Sequence, residues 1–313
     1  MSTSPSPSSS LTATHARIGL LQICLAGVLW GTGGLAVQVI RDAEPLSVVT
    51  ISAWRMLIGA VFLLAVVVVA RQTRTLRELV RRRPGGVVVV GVATATYQAL
   101  YFAGVVAVGV TVSTVVSLGL APVIVTVVES VRRRRTPDAV HLLVLAAALV
   151  GLVLVSASAG SAGGPHPTWG VLASIGSGTA YALTTLVGHH LAGTTAPLSL
   201  ATASTAIGAV ALAPLALVTG VGGAALGDPV VGVSLLYLGV LTMGLAYLLF
   251  YAGLRTAPGS SAVIATLLEP LTAAVLAAMV LGERLGAVGV VGGLLILAAV
   301  AGLGRRLDVT PAP

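Results

Sequence analysis

Ten apolar runs, each close to the length of a bilayer crossing, take up almost the whole chain. Cut at charges, prolines and glycine clusters, they cover 18–40, 46–70, 85–107, 110–131, 139–158, 168–188, 197–219, 229–254, 259–281 and 286–304. A helix needs about 20 residues to cross a hydrocarbon core. Lipid offers backbone N–H and C=O groups no partner, so such runs must satisfy them internally, as helices. The runs are rich in Val, Ala and Leu and lack the strict alternation of a membrane barrel strand. The connections are too short for a soluble domain. Only 8% of residues are charged, against about a quarter in soluble proteins. The expected fold is an all-α polytopic membrane protein with ten transmembrane helices.

Residues 1–16 are rich in Ser, Pro and Thr and read as a disordered cytoplasmic tail. Residues 307–313 read as a second tail. The first apolar run is too long for a signal-peptide core, and no basic cluster precedes it beyond Arg17. Cys24 is the single cysteine, so an intrachain disulfide is impossible, and it reads as a small packing residue.

The net charge of +8 comes from seventeen arginines and no lysine. Arg71, Arg74, Arg77, Arg81, Arg82 and Arg83 fall between runs two and three. Arg132, Arg133, Arg134 and Arg135 fall between runs four and five, and Arg305 and Arg306 follow run ten. With the N-terminus in the cytoplasm, these clusters, Arg17 and Arg255 place fourteen arginines inside. Arg41 and Arg284 fall outside, and Arg55 lies within run two. This is the positive-inside pattern of a cytoplasmic-membrane protein with both termini cytoplasmic. It accounts for the basic balance without nucleic acid.

The second half of the chain echoes the first. Tyr97-Gln98-Ala99-Leu100-Tyr101 is answered by Tyr247-Leu248-Leu249-Phe250-Tyr251, and Leu120-Ala121-Pro122 by Leu268-Glu269-Pro270. Five runs per copy is an odd number, so the second copy must cross in the opposite sense. The charges agree: thirteen residues after Pro122 comes Arg135, and thirteen after Pro270 comes Glu283. Two inverted five-helix repeats, at 17–158 and 159–306, are the pattern of a secondary transporter. Each internal proline removes a helix hydrogen bond and displaces the carbonyl four residues back, so Pro122 and Pro270 are expected to break their helices beside a cavity.

Several motifs resemble the EamA-type proteins of the drug/metabolite transporter superfamily. They are Leu268-Glu269-Pro270, Leu281-Gly282-Glu283-Arg284 and Gly292-Gly293 in the second half, with Leu29-Trp30-Gly31 and Trp54-Arg55 in the first. The first half has Arg135 where the family often has the Glu of its Leu-Gly-Glu motif. The resemblance runs from Arg17 to Arg306. It implies ten helices and movement of small metabolites such as amino acids, nucleobase-like compounds or drugs, most often outward. It implies no cofactor.

Glu269 falls near the bilayer midplane, where an ionised carboxylate costs roughly 2.5–3.5 kcal/mol on insertion scales. It must face the bundle interior, carry a proton or have a partner. That suits proton coupling or recognition of an ammonium group. The other reading is a neutral Glu bonded to the helix break at Pro270. Arg55 can meet a substrate carboxylate, snorkel outward, or lock spans together through carbonyls. Tyr97 with Tyr101, and Tyr247 with Tyr251, each share a helix face, so four phenols from related helices can form a cage. Gln98 adds an amide, and Trp30 is a candidate wall. Glu129 reads as a salt-bridge or helix-end residue. Adjacent His189 and His190 diverge on a helix, so no metal pair is expected. Gly27 with Gly31, and Gly289 with Gly293, have small-xxx-small spacing, mostly for packing within the bundle; an oligomer is not required.

The expected partners are a small-molecule substrate, membrane lipid and, as a coupling ion, protons. The alternative within transport is a flippase for lipids or lipid-linked precursors. A membrane-embedded enzyme is disfavoured, because no His-Glu-x-x-His, no Asp-rich pair and no cysteine cluster is present.

Overall fold

In a computed structural model, residues 7–158, 166–223, 227–280 and 286–309 are described, with side chains described from 14 to 304 within them. The corner at 281–285, which includes Glu283 and Arg284, and the side chains of Arg305 and Arg306 lie outside the described residues. The described residues hold ten helices long and apolar enough to cross a membrane. The first five are α1 (Pro7–Ala43), α2 (Val48–Val69), α4 (Pro84–Val108), α5 (Val110–Arg133) and α6 (Ala139–Ser158). A short α3 (Thr73–Arg82) lies between α2 and α4. The second five are α7 (Pro167–Ala192), α8 (Pro197–Thr219), a composite eighth span, a broken ninth span and α13 (Ala287–Val309).

α1 begins at Pro7, well inside the segment read from sequence as a disordered tail. Proline has no N–H to lose in a first helical turn, and no Gly or Pro interrupts Ser8–Arg17, so the helix extends outward from the span. α3 is the element absent from the sequence reading. Leu79 is buried and Leu76 packs on the core, while Arg82 pairs with Glu78 at 2.8 Å on the exposed face.

The helices pack as a two-fold arrangement of the repeats requires. α2 packs on α8, and α6 on α13, each helix against its own counterpart. α4 packs on α7 and on α8; their counterparts, the eighth span with α1 and with α2, pack likewise. Glycines fix the register of these contacts. A Cβ at Gly151 would lie 2.7 Å from the Gly292 carbonyl, and one at Gly292 would lie 2.7 Å from the Gly151 carbonyl. Gly27 abuts Thr266 in the ninth span as Gly178 abuts Ser117 in α5. Around the outside, Val61, Leu64, Val68, Val210, Leu217 and Val218 are exposed, an apolar surface suited to lipid.

The eighth span comprises α9 (Pro229–Tyr237), a π-helical stretch Leu238–Leu245 and α10 (Ala246–Gly253). Gly239 and Gly244 within the wide turns let Ile58 and Phe62 of α2 approach closely. The repeat register slips by two residues between Gly91/Gly239 and Tyr97/Tyr247, and the wide turns absorb them.

The ninth span is α11 (Gly259–Ala265), a break at Thr266–Leu267, and α12 (Leu268–Val280). The break falls where Pro270 displaces the carbonyl four residues earlier. Pro122, in contrast, lies inside an unbroken α5, which corrects the expectation that it breaks its helix. The difference is at their upstream neighbours. Thr266 Oγ1 donates to the Val263 carbonyl at 2.9 Å and receives the Tyr181 hydroxyl at 2.8 Å, so side chains stand in for lost helix bonds. The counterpart of Thr266 is Leu118, which can offer neither bond.

Candidate functional site

The two arginine-rich connections, 71–83 and 132–135, lie at one end of the bundle. From the opposite end a cavity of about 430 Å³ descends, lined mostly by α1, α2, α4, α5 and α6 of the first repeat and closed by α12 of the second. Arg41 and Val48, Val105 and Val110, Ser158 and Ala277 line it toward the mouth, because they stand at the ends of their helices on that side. Trp30, Arg55, Tyr97, Gln98, Tyr101, Glu269 and Pro270 line it deeper. The volume lies within the roughly 300–1,000 Å³ usual for small-molecule sites.

Each deep residue is placed by its element. The break at Thr266–Leu267 turns α12 so that Glu269, in its first turn, faces the cavity. α1 comes close enough to present Trp30 because Gly31 meets the Glu269 backbone: a Cβ at Gly31 would stand 2.5 Å from that carbonyl. Gly239 lets the eighth span approach the Arg55 backbone, since a Cβ there would lie 3.2 Å from the Arg55 carbonyl.

The polar groups here are unusually short of protein partners. Arg55 Nε, Trp30 Nε1 and Gln98 Oε1 are buried with no hydrogen bond among the described residues. Gln98 Nε2 reaches only the Met56 sulfur, at 3.2 Å. The charges of Arg55 and Glu269 lie within interacting range, together with the phenols of Tyr97 and Tyr247. Yet no described residue forms an ion pair with either charge. Among the described residues, Arg55 therefore makes no bond to a carbonyl that would lock spans together, and it forms no ion pair with a carboxylate. A buried donor or acceptor left unmade costs about 1–3 kcal/mol, more for a charged group. Open donors of Arg55 and Trp30 and the open acceptor of Gln98 thus line one cavity.

Below this level an aromatic layer closes the cavity. Trp30 meets Tyr247 edge-on with centroids 5.1 Å apart, and Phe250 at 5.4 Å. Tyr97 stacks on Tyr181 at 5.0 Å and lies 6.2 Å from Tyr101. The repeat relation that pairs Gly27 with Gly178 also pairs Trp30 with Tyr181, so the two close stacks are counterparts. Tyr101 is anchored by Thr114, its hydroxyl 2.9 Å from the threonine Oγ1.

Of the residues singled out from sequence, the structure brings Trp30, Arg55, Tyr97, Gln98, Tyr101 and Glu269 together. It does not bring the four tyrosines into one cage. Tyr247 and Tyr251 are buried outside the lining of this cavity, with Tyr251 beside Thr94 and Ser204, because the cavity opens at the end opposite the arginines. Tyr181 is the residue the sequence reading missed. Its signal was present: carried one repeat along, Trp30 falls on Tyr181.

Comparison with known proteins agrees with this architecture. The EamA-like transporter family matches residues 17–157 and again 168–305. The uncharacterized transporter YwfM of Bacillus subtilis (strain 168) is 30% identical over 268 residues, covering 85% of this chain and 86% of that protein. A solved crystal structure superposes on 92% of this chain and 98% of its own with a TM-score of 0.74; at 18% identity it shows the fold alone.

Proposed function

The chain belongs to the EamA-like transporter family, and from that premise we propose that it exports small metabolites carrying both a carboxylate and an ammonium group. The observation that carries this reading is the unpaired Arg55 and Glu269 in one cavity. Arg55 is a carboxylate receptor, since guanidinium forks match carboxylates. Glu269 is an ammonium receptor. Tyr97, Tyr101 and the apolar wall of Val105 and Val110 take the rest of the molecule. A substrate with both charges satisfies both ends and neutralises the site, which lowers the cost of carrying it through a low-dielectric bundle.

Movement proceeds by alternating access, the two repeats exchanging roles so that the cavity opens to one side at a time. The outward direction follows the sequence resemblance. Placing the arginine clusters in the cytoplasm makes the present cavity outward-facing. Protons couple to the cycle through Glu269, the acidic side chain of the cavity lining.

The test compares cells with and without the protein, measuring metabolites inside and in the medium. Zwitterionic metabolites should rise in the medium and fall inside when the protein is present. A change confined to the lipids of the two leaflets would replace this reading with flippase activity.

A further inference from the structure

The arginine-bearing end carries a contact between the repeats whose counterpart positions at the open end cannot form it. Ser260, in α11, donates its hydroxyl to Glu129 Oε2 at 2.7 Å and its backbone N–H to Glu129 Oε1 at 3.3 Å. Glu129 belongs to α5 of the first repeat, and α11 to the second. Gly259 makes the approach possible, since a Cβ there would stand 2.7 Å from Glu129 Oε1. Behind this contact Val125 is fully buried, 3.4 Å from where that Cβ would lie. Arg132 and Arg133 follow on the same helix, yet among the described residues neither forms an ion pair with Glu129. The carboxylate is committed to the other repeat.

The repeat register that pairs Pro122 with Pro270 pairs Glu129 with Ala277, Val125 with Ala273 and Ser260 with Val112. At the open end, then, an alanine and a valine occupy the latch positions, and no side-chain hydrogen bond between them is possible. There Ala273 and Ala277 line the cavity. One end carries a two-bond polar clasp between repeats; the related positions at the other end lack it, and there the central cavity opens.

We propose that Glu129 and Ser260 are gate-positioning residues: their hydrogen bonds hold the arginine-bearing end closed, and the transport cycle must break them to open the mirror-image pathway past Val125. This inference rests on the transport reading above but concerns the closure alone. It also gives the protein a preferred resting state, open at the end opposite the arginines.

Single cysteines at the related positions test it without any substrate. In the full chain carrying Cys24→Ala, Ala273→Cys and Val125→Cys are introduced separately, and their reaction with a soluble maleimide is timed in detergent. With the latch intact, the thiol at 273 should react at least tenfold faster than the thiol at 125. Ser260→Ala removes one hydroxyl and leaves the backbone bond; Glu129→Ala removes the whole clasp. Each should speed labelling at 125 several-fold and slow it at 273, more so for Glu129→Ala. Unchanged rates in both variants overturn the latch. Faster labelling at both positions also overturns it, because general loosening of the bundle gives that result and a shifted gate does not. Failure to transport zwitterions would leave these rates untouched, so the two readings fail separately.

Discussion

Gly31 and Gly34 sit one helical turn apart on α1, and both line the cavity. Adding one methyl group to each should have opposite consequences. At Gly34 a Cβ meets nothing within 4 Å. Gly34→Ala therefore keeps the helix-propensity gain of alanine over glycine, about 0.5–1 kcal/mol. At Gly31 a Cβ meets the Glu269 carbonyl at 2.5 Å and Thr272 Cβ at 2.6 Å. Ordinary contact begins near 3.4 Å, so α1 and α12 must separate by about 0.9 Å or bend. Both obstacles are fixed, one a backbone atom and the other a Cβ on a packed helix. Overpacking of this kind costs about 1–3 kcal/mol. After the propensity gain, Gly31→Ala should lie below Gly34→Ala by about 1–3 kcal/mol, since the gain is common to both. Thermal unfolding of the two variants and the parent protein in one detergent measures the order. The reasoning is refuted if Gly31→Ala unfolds at or above Gly34→Ala, because the α1–α12 approach would then not be tight. The same separation moves Glu269 relative to Trp30, so Gly31→Ala should also weaken substrate binding when Gly34→Ala does not.

Tyr181→Phe keeps the stack on Tyr97 but removes the hydroxyl that reaches Thr266 at the ninth-span break; it should cost about 0.5–1.5 kcal/mol in thermal unfolding, and no loss would show that the break needs no help from α7. Glu269→Gln is nearly isosteric, so it should fold normally yet lose transport driven by a pH gradient in proteoliposomes; full pH-driven activity would remove Glu269 from any proton pathway and leave it an ammonium partner. Reporter fusions after Arg306 and beside Asp228 should report cytoplasm and exterior respectively, and the reverse result, or both on one side, would break the assignment of the arginine clusters to the cytoplasm.

Much of the fold was legible because lipid leaves the backbone few choices. Apart from the N-terminal extension of α1, the ten runs read from hydropathy match the ten spans to within a few residues, and the repeat followed from Tyr97/Tyr247 and Pro122/Pro270. Hidden features depended on contacts between helices. Pro122 and Pro270 look alike in sequence, yet only the second breaks its helix, because Thr266 can bond backbone and Tyr181 where Leu118 cannot. The π-helical turns at Leu238–Leu245 depend on how closely α2 packs against Gly239 and Gly244. α3 escaped notice because its arginines read as a connecting charge run, although Leu76 and Leu79 already marked one apolar face. For the site, symmetry found both tyrosine pairs but cannot say which end is open, so Tyr247 and Tyr251 were expected in a cavity that lies above them.

The central claim is that Arg55 and Glu269 read the two charges of one substrate. Binding to the purified protein, measured with a neutral amino acid, the amine that lacks its carboxylate and the acid that lacks its ammonium group, tests it most directly. The parent protein should bind the zwitterion at least tenfold more tightly than either analogue, since each lost charge leaves one buried group unanswered. Arg55→Gln should erase the preference over the amine and keep that over the acid, and Glu269→Gln should do the reverse. Equal affinity for all three ligands, or variants that weaken all three alike, would contradict the account.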